Sequence, residues 1–233
     1  MDMIRQIYWV VMKIMNKIMI GNDKLPHLFV DKDSKYEIIV NENVENKLVI
    51  IGTSDCEINV ILKENSKLIV NSLNKDNNVN VNISLNKGCE IIYNHSVLAR
   101  ENSINSFTIN HHDNDTTSIL NNNGINLENN KLFFNIDGVI PKNRHNINCN
   151  QSSKILNFKN GNSKIIPNLI IDSNDIVANH AAYIGKISDD EMFYLESRGI
   201  SRDNIKKLIY KSCMIGKMNI NEEEINQILN EWW

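Results

Sequence analysis

The sequence predicts a mainly β protein, and its pattern favours a parallel β-helix, in which the chain winds into a solenoid. From residue 47 to about 179, short runs of β-branched residues are separated by polar turns, and over 79–85 apolar residues alternate strictly with Asn or Ser. Segments 62–70 (LKENSKLIV) and 85–93 (LNKGCEIIY) resemble each other at an offset of 23 residues, and a weaker copy begins at Leu127. A fixed period of this size is typical of solenoids.

A β-sandwich or jelly roll built from similar short strands is the alternative fold. Such folds join neighbouring strands by hairpins, and Asn-Gly or Asp-Gly hairpin turns are scarce between the apolar runs. The scarcity of hairpin turns therefore favours the solenoid.

Composition limits the function classes. With 233 residues, 42% hydrophobic, the chain is long enough for one sizeable core and an appendage. A formal net charge of -3 gives no basis for nucleic-acid binding, which normally shows a basic patch. The 41 Asn residues suit turns, because Asn tolerates left-handed backbone angles.

The chain divides into three parts: an N-terminal helix with lead-in strands (1–46), a β-helix core (47–187) and a C-terminal helical segment (188–233). The first 21 residues are apolar but are interrupted by charges, so they predict an amphipathic helix docked on the protein and no membrane span. A helix lying on a membrane surface is the alternative. The interrupting residues are Asp2, Arg5, Lys13 and Lys17.

The C-terminal segment carries helix start and stop signals. Ser188 with Glu191 predicts a capping box, and Gly199 stands where a left-handed cap residue ends a helix. A second helix is expected from Ser201 to Gly216, and a third from residue 221 to the two terminal tryptophans. We expect those tryptophans to pack on the helices or to contact a partner.

The four cysteines, at 56, 89, 149 and 213, form no CxxC pair. This spacing favours a reducing, cytoplasmic compartment over a disulfide framework or a zinc site. Cys56 and Cys89 lie beside predicted turns and are expected to fill the core, and Cys213 is expected to pack within the second tail helix.

The run PNLIIDSNDIVANHAAYIGKISDDEMFYLESRGIS resembles the C-terminal signature of the SufB/SufD family of iron–sulfur cluster assembly scaffolds. That signature has two strands, a His-Gly-Ala-Thr-like turn and a Phe-Tyr-Leu-x-x-Arg-Gly-Ile helix. The resemblance covers roughly residues 90 to 216. The matching residues are Pro167, Leu169, Asp175, His180, Ala181, Gly185, Phe193, Tyr194, Leu195, Arg198, Gly199 and Ile200.

The resemblance implies a right-handed parallel β-helix core with C-terminal helices that bind a SufC-type ABC ATPase. It implies a non-enzymatic scaffold subunit, which helps to form or transfer a transient iron–sulfur cluster at an interface with itself or with a SufB-type partner. His180 stands where the family's D-type subunit has a histidine implicated in cluster formation, and a neutral imidazole is a good iron ligand. The implied ATPase-docking residues are Phe193, Tyr194, Leu195, Arg198, Gly199 and Ile200.

The chain departs from the family pattern near this histidine. The turn reads His-Ala-Ala-Tyr, and Ser152 stands where the B-type subunit has its sulfur-accepting cysteine, so a D-like or degenerate subunit is favoured. Cys149, three residues earlier, is a substitute candidate if the register slips. The B-type glutamate after the histidine is replaced by Ala181. A structural platform that has lost cluster chemistry is therefore an alternative function.

Two further readings are weaker. A carbohydrate-active β-helix enzyme needs carboxylates on the solenoid flank, and no Asp/Glu pairs occur at repeating positions. His111, His112 and Asp113 suggest a metal cluster, but adjacent residues of a strand point to opposite faces. No GxxxxGK[ST] run is present to bind nucleotide phosphates.

Overall fold

The computed structural model describes residues 16–22, 27–187, 189–218, 220, 229 and 231–232. Within these ranges the chain forms a parallel β-solenoid of two seven-stranded sheets, followed by two helices. Successive strands alternate between the sheets, so each turn of the solenoid adds one strand to each. We call such a pair of consecutive strands a rung. The predicted parallel β-helix is confirmed.

The first sheet contains the odd-numbered strands in sequence order. They are β1 (Asn16–Ile20), β3 (Ser34–Val40), β5 (Cys56–Leu62), β7 (Val79–Leu85), β9 (Ser103–His111), β11 (Lys131–Ile140) and β13 (Asn162–Ile171). The second sheet contains β2 (His27–Val30), β4 (Glu45–Gly52), β6 (Lys67–Lys75), β8 (Glu90–Ala99), β10 (Thr117–Asn126), β12 (His145–Asn157) and β14 (Asp175–Lys186). The helices are α1 (Asp189–Ser197) and α2 (Arg202–Ile215).

The repeat found in the sequence is the repeat of the solenoid. Lys67 of β6 pairs with Glu90 of β8, which is the 23-residue offset of the two similar segments. The weaker copy beginning at Leu127 contains a strand, β11, but that strand belongs to the other sheet, so this copy is not a third equivalent repeat. On the other side of β8, Glu90 pairs with Thr117 of β10.

Apolar side chains fill the space between the sheets. The alternation over 79–85 appears as alternating burial, with Val79, Val81, Ile83 and Leu85 all buried. Full burial of a side chain of this size contributes about 1.5–3 kcal/mol, so a continuous aliphatic core is the main stabilising term. The polar turns at the corners use left-handed residues, and every such residue other than glycine in the described ranges is Asn or Asp.

Several strands that the apolar runs did not mark are rich in polar residues. β10 and β12 contain TSILNNNGIN and HNINCNQSSKILN, yet both are paired on two sides. On the outer face, Asn side chains stack from strand to strand: Asn94 Nδ2 donates to Asn71 Oδ1, and Asn121 Nδ2 donates to Asn94 Oδ1, both at 2.9 Å. These amide ladders join neighbouring strands at the polar positions of the outer face.

The tail helices agree with their sequence signals where they are described. Ser201 caps α2, because its hydroxyl accepts from the backbone N–H of Asn204, and Gly199 has a φ of +81° after α1. The capping box lies outside the described residues because Ser188 does. The predicted third helix also lies mostly outside them, although Leu229, Glu231 and Trp232 are helical.

The predicted N-terminal helix is wrong for its last residues. Asn16–Ile20 form strand β1, which pairs in parallel with β3, because Ile18 and Ile20 continue the pattern of the first sheet. Residues 1–15 lie outside the described ranges. No helix among the described residues is long and apolar enough to cross a membrane.

The tail packs on the outer face of the second sheet. Tyr210 and Met214 of α2 and Trp232 are buried against Leu98 and Ile125 of the solenoid. Two polar contacts add to this: Ser96 Oγ donates to the carbonyl of Met214 at 2.7 Å, and Arg100 donates to the carbonyl of Trp232 at 2.6 Å. Trp232 therefore packs back on the protein, as the first of the two expectations for the tryptophans had it.

Candidate functional site

The candidate site lies at the terminal rung, which consists of β13 and β14. Each of these strands is paired on one side only in the described chain: β13 with β11 and β14 with β12. The opposite edges present unpaired backbone groups, which readily pair with another strand. Large apolar side chains are exposed along this rung, namely Ile170, Val177, Tyr183 and Ile184.

His180 lies in the middle of β14 and is exposed. Its register partner on β12 is Gln151, followed by Leu120, Tyr93 and Val70 on successive strands; we call these five residues the His180 row. The other four members are buried between the sheets, so the row faces inward. The imidazole is therefore at the open end of the solenoid interior. It would be buried like the other members of the row if a further strand covered β14.

Gln151 lies directly behind His180. Its amide Nε2 donates to the backbone carbonyl of Asn168 at 3.3 Å, whereas its buried Oε1 has no hydrogen-bond partner among the described residues. Burying an acceptor without a donor costs about 1–3 kcal/mol of folding free energy. A hydrogen-bond donor placed near Gln151 Oε1 would therefore be stabilised. Sequence reasoning did not identify Gln151, because a single glutamine in a polar strand carries no motif.

Cys149 is fully buried, with 0% of its surface exposed. Burial raises the pKa of its thiol, and a hydrogen bond with Ser118 partly opposes this increase. The interior is tight here, since a methyl group added at Gly138 on the facing sheet would lie 2.9 Å from Cys149 Sγ. The thiol is thus held neutral and shielded from solvent in the isolated chain.

Cys149 and Ser152 face opposite sides of the second sheet. Cys149 is in line with Ser118 and Ala178 on the inward side, whereas Ser152 is in line with Asn121 and Ala181 on the outer face. Three residues separate them, and an odd separation in a strand reverses the face. Cys149 therefore does not lie on the face that Ser152 occupies. It lies on the same face as His180, which follows Ala178, the register partner of Cys149, by two residues.

Lys217 reaches the outer face at Ser152. Its Nζ donates to Asn121 Oδ1 at 2.9 Å and lies 3.5 Å from Ser152 Oγ. The ammonium therefore ends the amide ladder that runs from Asn71 through Asn94 and Asn121. No sequence signal connected Lys217 with Ser152, because the two are 65 residues apart and meet only when α2 packs on the sheet.

A second exposed surface lies on α1. Phe193 and Tyr194 are 71% and 55% exposed, although both are large and aromatic. Arg198 Nη2 donates to the Tyr194 hydroxyl at 2.8 Å, and its guanidinium lies 5.0 Å from the Tyr194 ring centre. Met192 is buried, and Leu195 and Ile200 are half-buried, so these residues face the protein. We call Phe193, Tyr194 and Arg198 the α1 surface.

The two adjacent histidines are separated by the sheet. His111 is buried and bonded through both ring nitrogens, to Thr116 Oγ1 at 2.7 Å and to Ser118 Oγ at 2.9 Å, whereas His112 is exposed. Burial, together with the neighbouring His112 charge, lowers the pKa of His111 to about 4. Within the described ranges, no three His, Cys, Asp or Glu side chains are grouped to hold a metal ion.

The other cysteines lie where the sequence placed them. Cys56 and Cys89 are buried fillers of the core, and burial raises the pKa of Cys56 to about 12. Cys213 is half-buried within α2, and burial raises the pKa of its thiol to about 11. The raised pKa values of Cys56 and Cys213 are the opposite of what a reactive cysteine has.

The fold and these surfaces define a class of protein: a parallel β-solenoid with an uncovered terminal rung and a helical tail packed on one sheet. The profile of the SUF system FeS cluster assembly SufBD core domain matches residues 22–213. The chain belongs to the SufBD family.

Two curated relatives are similar over shorter stretches. One is the iron–sulfur cluster assembly protein SufD of Bacillus subtilis, 32% identical over 78 residues, which are 33% of this chain and 18% of that protein. The other is an iron–sulfur cluster assembly SufBD family protein of Mycobacterium leprae, 40% identical over 47 residues, which are 20% of this chain and 12% of that protein. The matched stretches thus span less than a fifth of either relative.

Proposed function

We propose that this chain is a non-catalytic scaffold subunit of a SUF-type iron–sulfur cluster assembly complex. The cluster forms or passes at the terminal rung, between this chain and a second subunit. The observation that carries the proposal is the position of His180, an exposed imidazole on the inward side of a terminal strand that has one unpaired edge. Imidazole nitrogen binds iron well, and a second subunit covering the rung would exclude water from that site.

The second subunit pairs with the unpaired edge of β14, and it is either another copy of this chain or a B-type relative. For two copies related by a twofold axis perpendicular to the sheet, cross-strand partners lie on the same face. A register centred on His180 places Val177 opposite Tyr183 of the second copy and Ile176 opposite Ile184 of the second copy. That register covers exposed apolar side chains and puts two imidazoles at one interface.

Cys149 is a candidate second ligand on this chain. Its thiol faces inward one row away from His180 and has the soft sulfur that iron prefers. Because the pKa of the thiol is raised by burial, deprotonation requires the metal itself or a rearrangement of the terminal rung. Cys149→Ser keeps the size and the hydrogen bond to Ser118 while removing the sulfur. If Cys149 is a ligand, bound iron falls in this variant; unchanged iron removes Cys149 from the ligand set.

The α1 surface docks a SufC-type ABC ATPase, together with Leu195, Gly199 and Ile200, which shape the helix end. Exposed aromatic and arginine side chains are the residue types that concentrate binding energy at interfaces. Leu208 of α2 is also exposed and extends the apolar area beside them. In this proposal the chain binds the ATPase through α1, and movement of the ATPase shifts the terminal rung.

The cluster proposal is tested by anaerobic co-expression with a SufC-type ATPase and, in parallel, a B-type subunit. Bound iron and sulfide are measured for the wild type, His180→Ala and Asn179→Ala. Asn179 is the exposed neighbour on the opposite face of β14, so its variant controls for damage to the strand. We expect at least a fivefold loss of iron in His180→Ala alone.

The docking proposal is tested by the affinity of the ATPase for Phe193→Ala and Tyr183→Ala. Phe193 is at the proposed docking surface, whereas Tyr183 is an exposed aromatic residue of the terminal rung. Loss of a hot-spot aromatic side chain costs about 2 kcal/mol or more, so we expect roughly a 30-fold weaker Kd for Phe193→Ala and little change for Tyr183→Ala. Equal affinities for both variants contradict docking through α1.

A structural platform without cluster chemistry is the second candidate function. Three observations favour it: Ser152 replaces the cysteine, Ala181 replaces the glutamate, and the thiol of Cys149 is buried. In that case the ATPase and the second subunit bind normally, but iron and sulfide are equally low in the wild type and in His180→Ala. The same co-purification therefore separates the two functions.

A further inference from the structure

An Asn-Gly pair lies in the turn that leads from β12 into β13. Asn160 is exposed, and its backbone N–H donates to Asn129 Oδ1 at 3.0 Å. In any Asn-Gly pair the glycine nitrogen reaches the asparagine side chain more easily than in other Asn pairs, because no Cβ stands in the way. The Asn160 side chain is therefore open to solvent beside a nitrogen that no Cβ shields.

Packing requires the glycine at 161. A Cβ atom there would lie 2.3 Å from Asn126 Nδ2 and 3.1 Å from the carbonyl oxygen of Glu128. The Asn126 amide is fixed, because its Nδ2 donates to the carbonyl of Asn130 and to Ser163 Oγ, both at 3.1 Å. Any other residue at 161 would therefore have to displace the Asn126 amide, which favours keeping the Asn-Gly pair.

The chain contains a matched pair in a different environment. Asn123 and Gly124 lie within β10, which is paired with β8 on one side and β12 on the other. Gly124 is buried, and the backbone is held extended by two ladders, so its nitrogen is not free to approach the Asn123 side chain. The same dipeptide is therefore present once in an exposed turn and once in a strand that is paired on both sides.

We propose that Asn160 is a site of spontaneous deamidation and that Asn123 is protected from it. The Gly161 nitrogen attacks Asn160 Cγ, a C–N bond forms, and the amide nitrogen leaves as ammonia with the proton from Gly161. Water then opens the cyclic imide at either carbonyl, giving aspartate or isoaspartate. The only co-reactant is solvent water, and no oxidation or reduction takes place.

The product changes the contact between the turn and the terminal rung. Lys186 Nζ, at the end of β14, donates to Asn160 Oδ1 at 2.9 Å. The aspartate product puts a carboxylate at this position, so a hydrogen bond from an ammonium to a neutral amide becomes an ion pair. The isoaspartate product inserts an additional backbone carbon and displaces the turn.

The test is tandem mass spectrometry of the full chain after incubation at mild alkaline pH, with digestion at low pH to limit new reaction. We expect deamidation at Asn160 to be at least tenfold faster than at Asn123 in the folded chain. In urea-unfolded chain the two rates should agree within a factor of about three, because the dipeptides are the same. Asn160→Gln should abolish the signal from that turn, since the larger ring forms far more slowly.

Equal rates at the two positions in the folded chain, whether both fast or both slow, overturn the proposal. A tenfold difference that persists in urea also overturns it, because the selectivity would then come from local sequence and not from the fold.

Discussion

The middle of the solenoid and its terminal rung follow the same register but differ in what covers them. In the His180 row, Val70, Tyr93 and Leu120 have a strand on each side and are buried, whereas His180 has a strand on one side and is exposed. In another inward row of the same sheet, Ile155 is fully buried and Ile184 is 44% exposed. The same inward position is thus a core site in one rung and a surface site in the next. What differs is the number of neighbouring strands, not the local sequence.

The largest expected effect tests this difference directly. Ile155→Ala should cost about 2–5 kcal/mol of unfolding free energy, because it removes a buried side chain and leaves a cavity beside Gly124. Ile184→Ala should cost less than about 1 kcal/mol in the isolated chain, because this side chain is already in contact with water. Urea unfolding of both variants measures the difference.

The two variants should have the opposite order of effects on subunit association. If a second subunit covers the terminal rung, Ile184→Ala weakens association while Ile155→Ala acts mainly on folding. Sedimentation of the two variants at several concentrations measures this. Similar unfolding costs for the two variants in the isolated chain would mean that the terminal rung is already covered.

His111 and His112 give a second comparison of a buried and an exposed position, through the pH dependence of stability. The pKa of His111 is lowered to about 4, so between pH 6.5 and 4 the unfolded chain binds a proton that the folded chain does not. The contribution of His111 to stability therefore falls as the pH decreases from 6.5, with a slope approaching about 1.4 kcal/mol per pH unit, and it is retained above pH 6.5. Buried His95, whose pKa is lowered to about 3, adds a decrease of the same sign.

His111→Asn should reduce this slope, although it also lowers stability at neutral pH by removing bonds to Thr116 and Ser118. His112→Asn is the control, because the adjacent side chain is exposed. Urea unfolding from pH 7.5 to 4.5 gives the slopes. A slope that His111→Asn leaves unchanged would assign the acid sensitivity to other groups.

The smallest expected effect concerns the outer amide ladders. Asn94 is buried and bonded to Asn71 and Asn121, so Asn94→Ala leaves two partners unsatisfied and should cost about 1–3 kcal/mol. Asn179 makes one ladder bond, to Asn150 at 3.1 Å, at the exposed end, and Asn179→Ala should change stability by less than about 0.5 kcal/mol. Thermal unfolding of the two variants tests whether the contribution of a ladder bond to stability depends on its burial. Equal costs would show that it does not.

The linear pattern was sufficient to predict the solenoid, the 23-residue offset between two of its turns, two tail helices and the family. These features depend on local regularities: alternation along a strand, similar segments in neighbouring turns, and cap residues at helix ends. The strands β9, β10 and β12 have only a weak apolar pattern, because their Asn and Ser side chains are satisfied by neighbouring strands that a linear pattern does not show. The helix prediction over 16–20 was wrong because a short apolar run suits either a helix or a strand, and pairing with β3 decided it.

The environment of each candidate residue depends on tertiary packing. His180 and Cys149 were both chosen from the sequence, yet one is exposed at an unpaired edge and the other is sealed behind Gly138. Lys217 meets Ser152, and Gln151 lies behind His180, only because strands and helix distant in sequence pack together. Burial, the pKa of a thiol and the partner of an amide depend on atoms from other rungs. A pattern along the chain therefore predicts where a strand lies and which way its residues point, but the neighbours on each side determine what those residues can do.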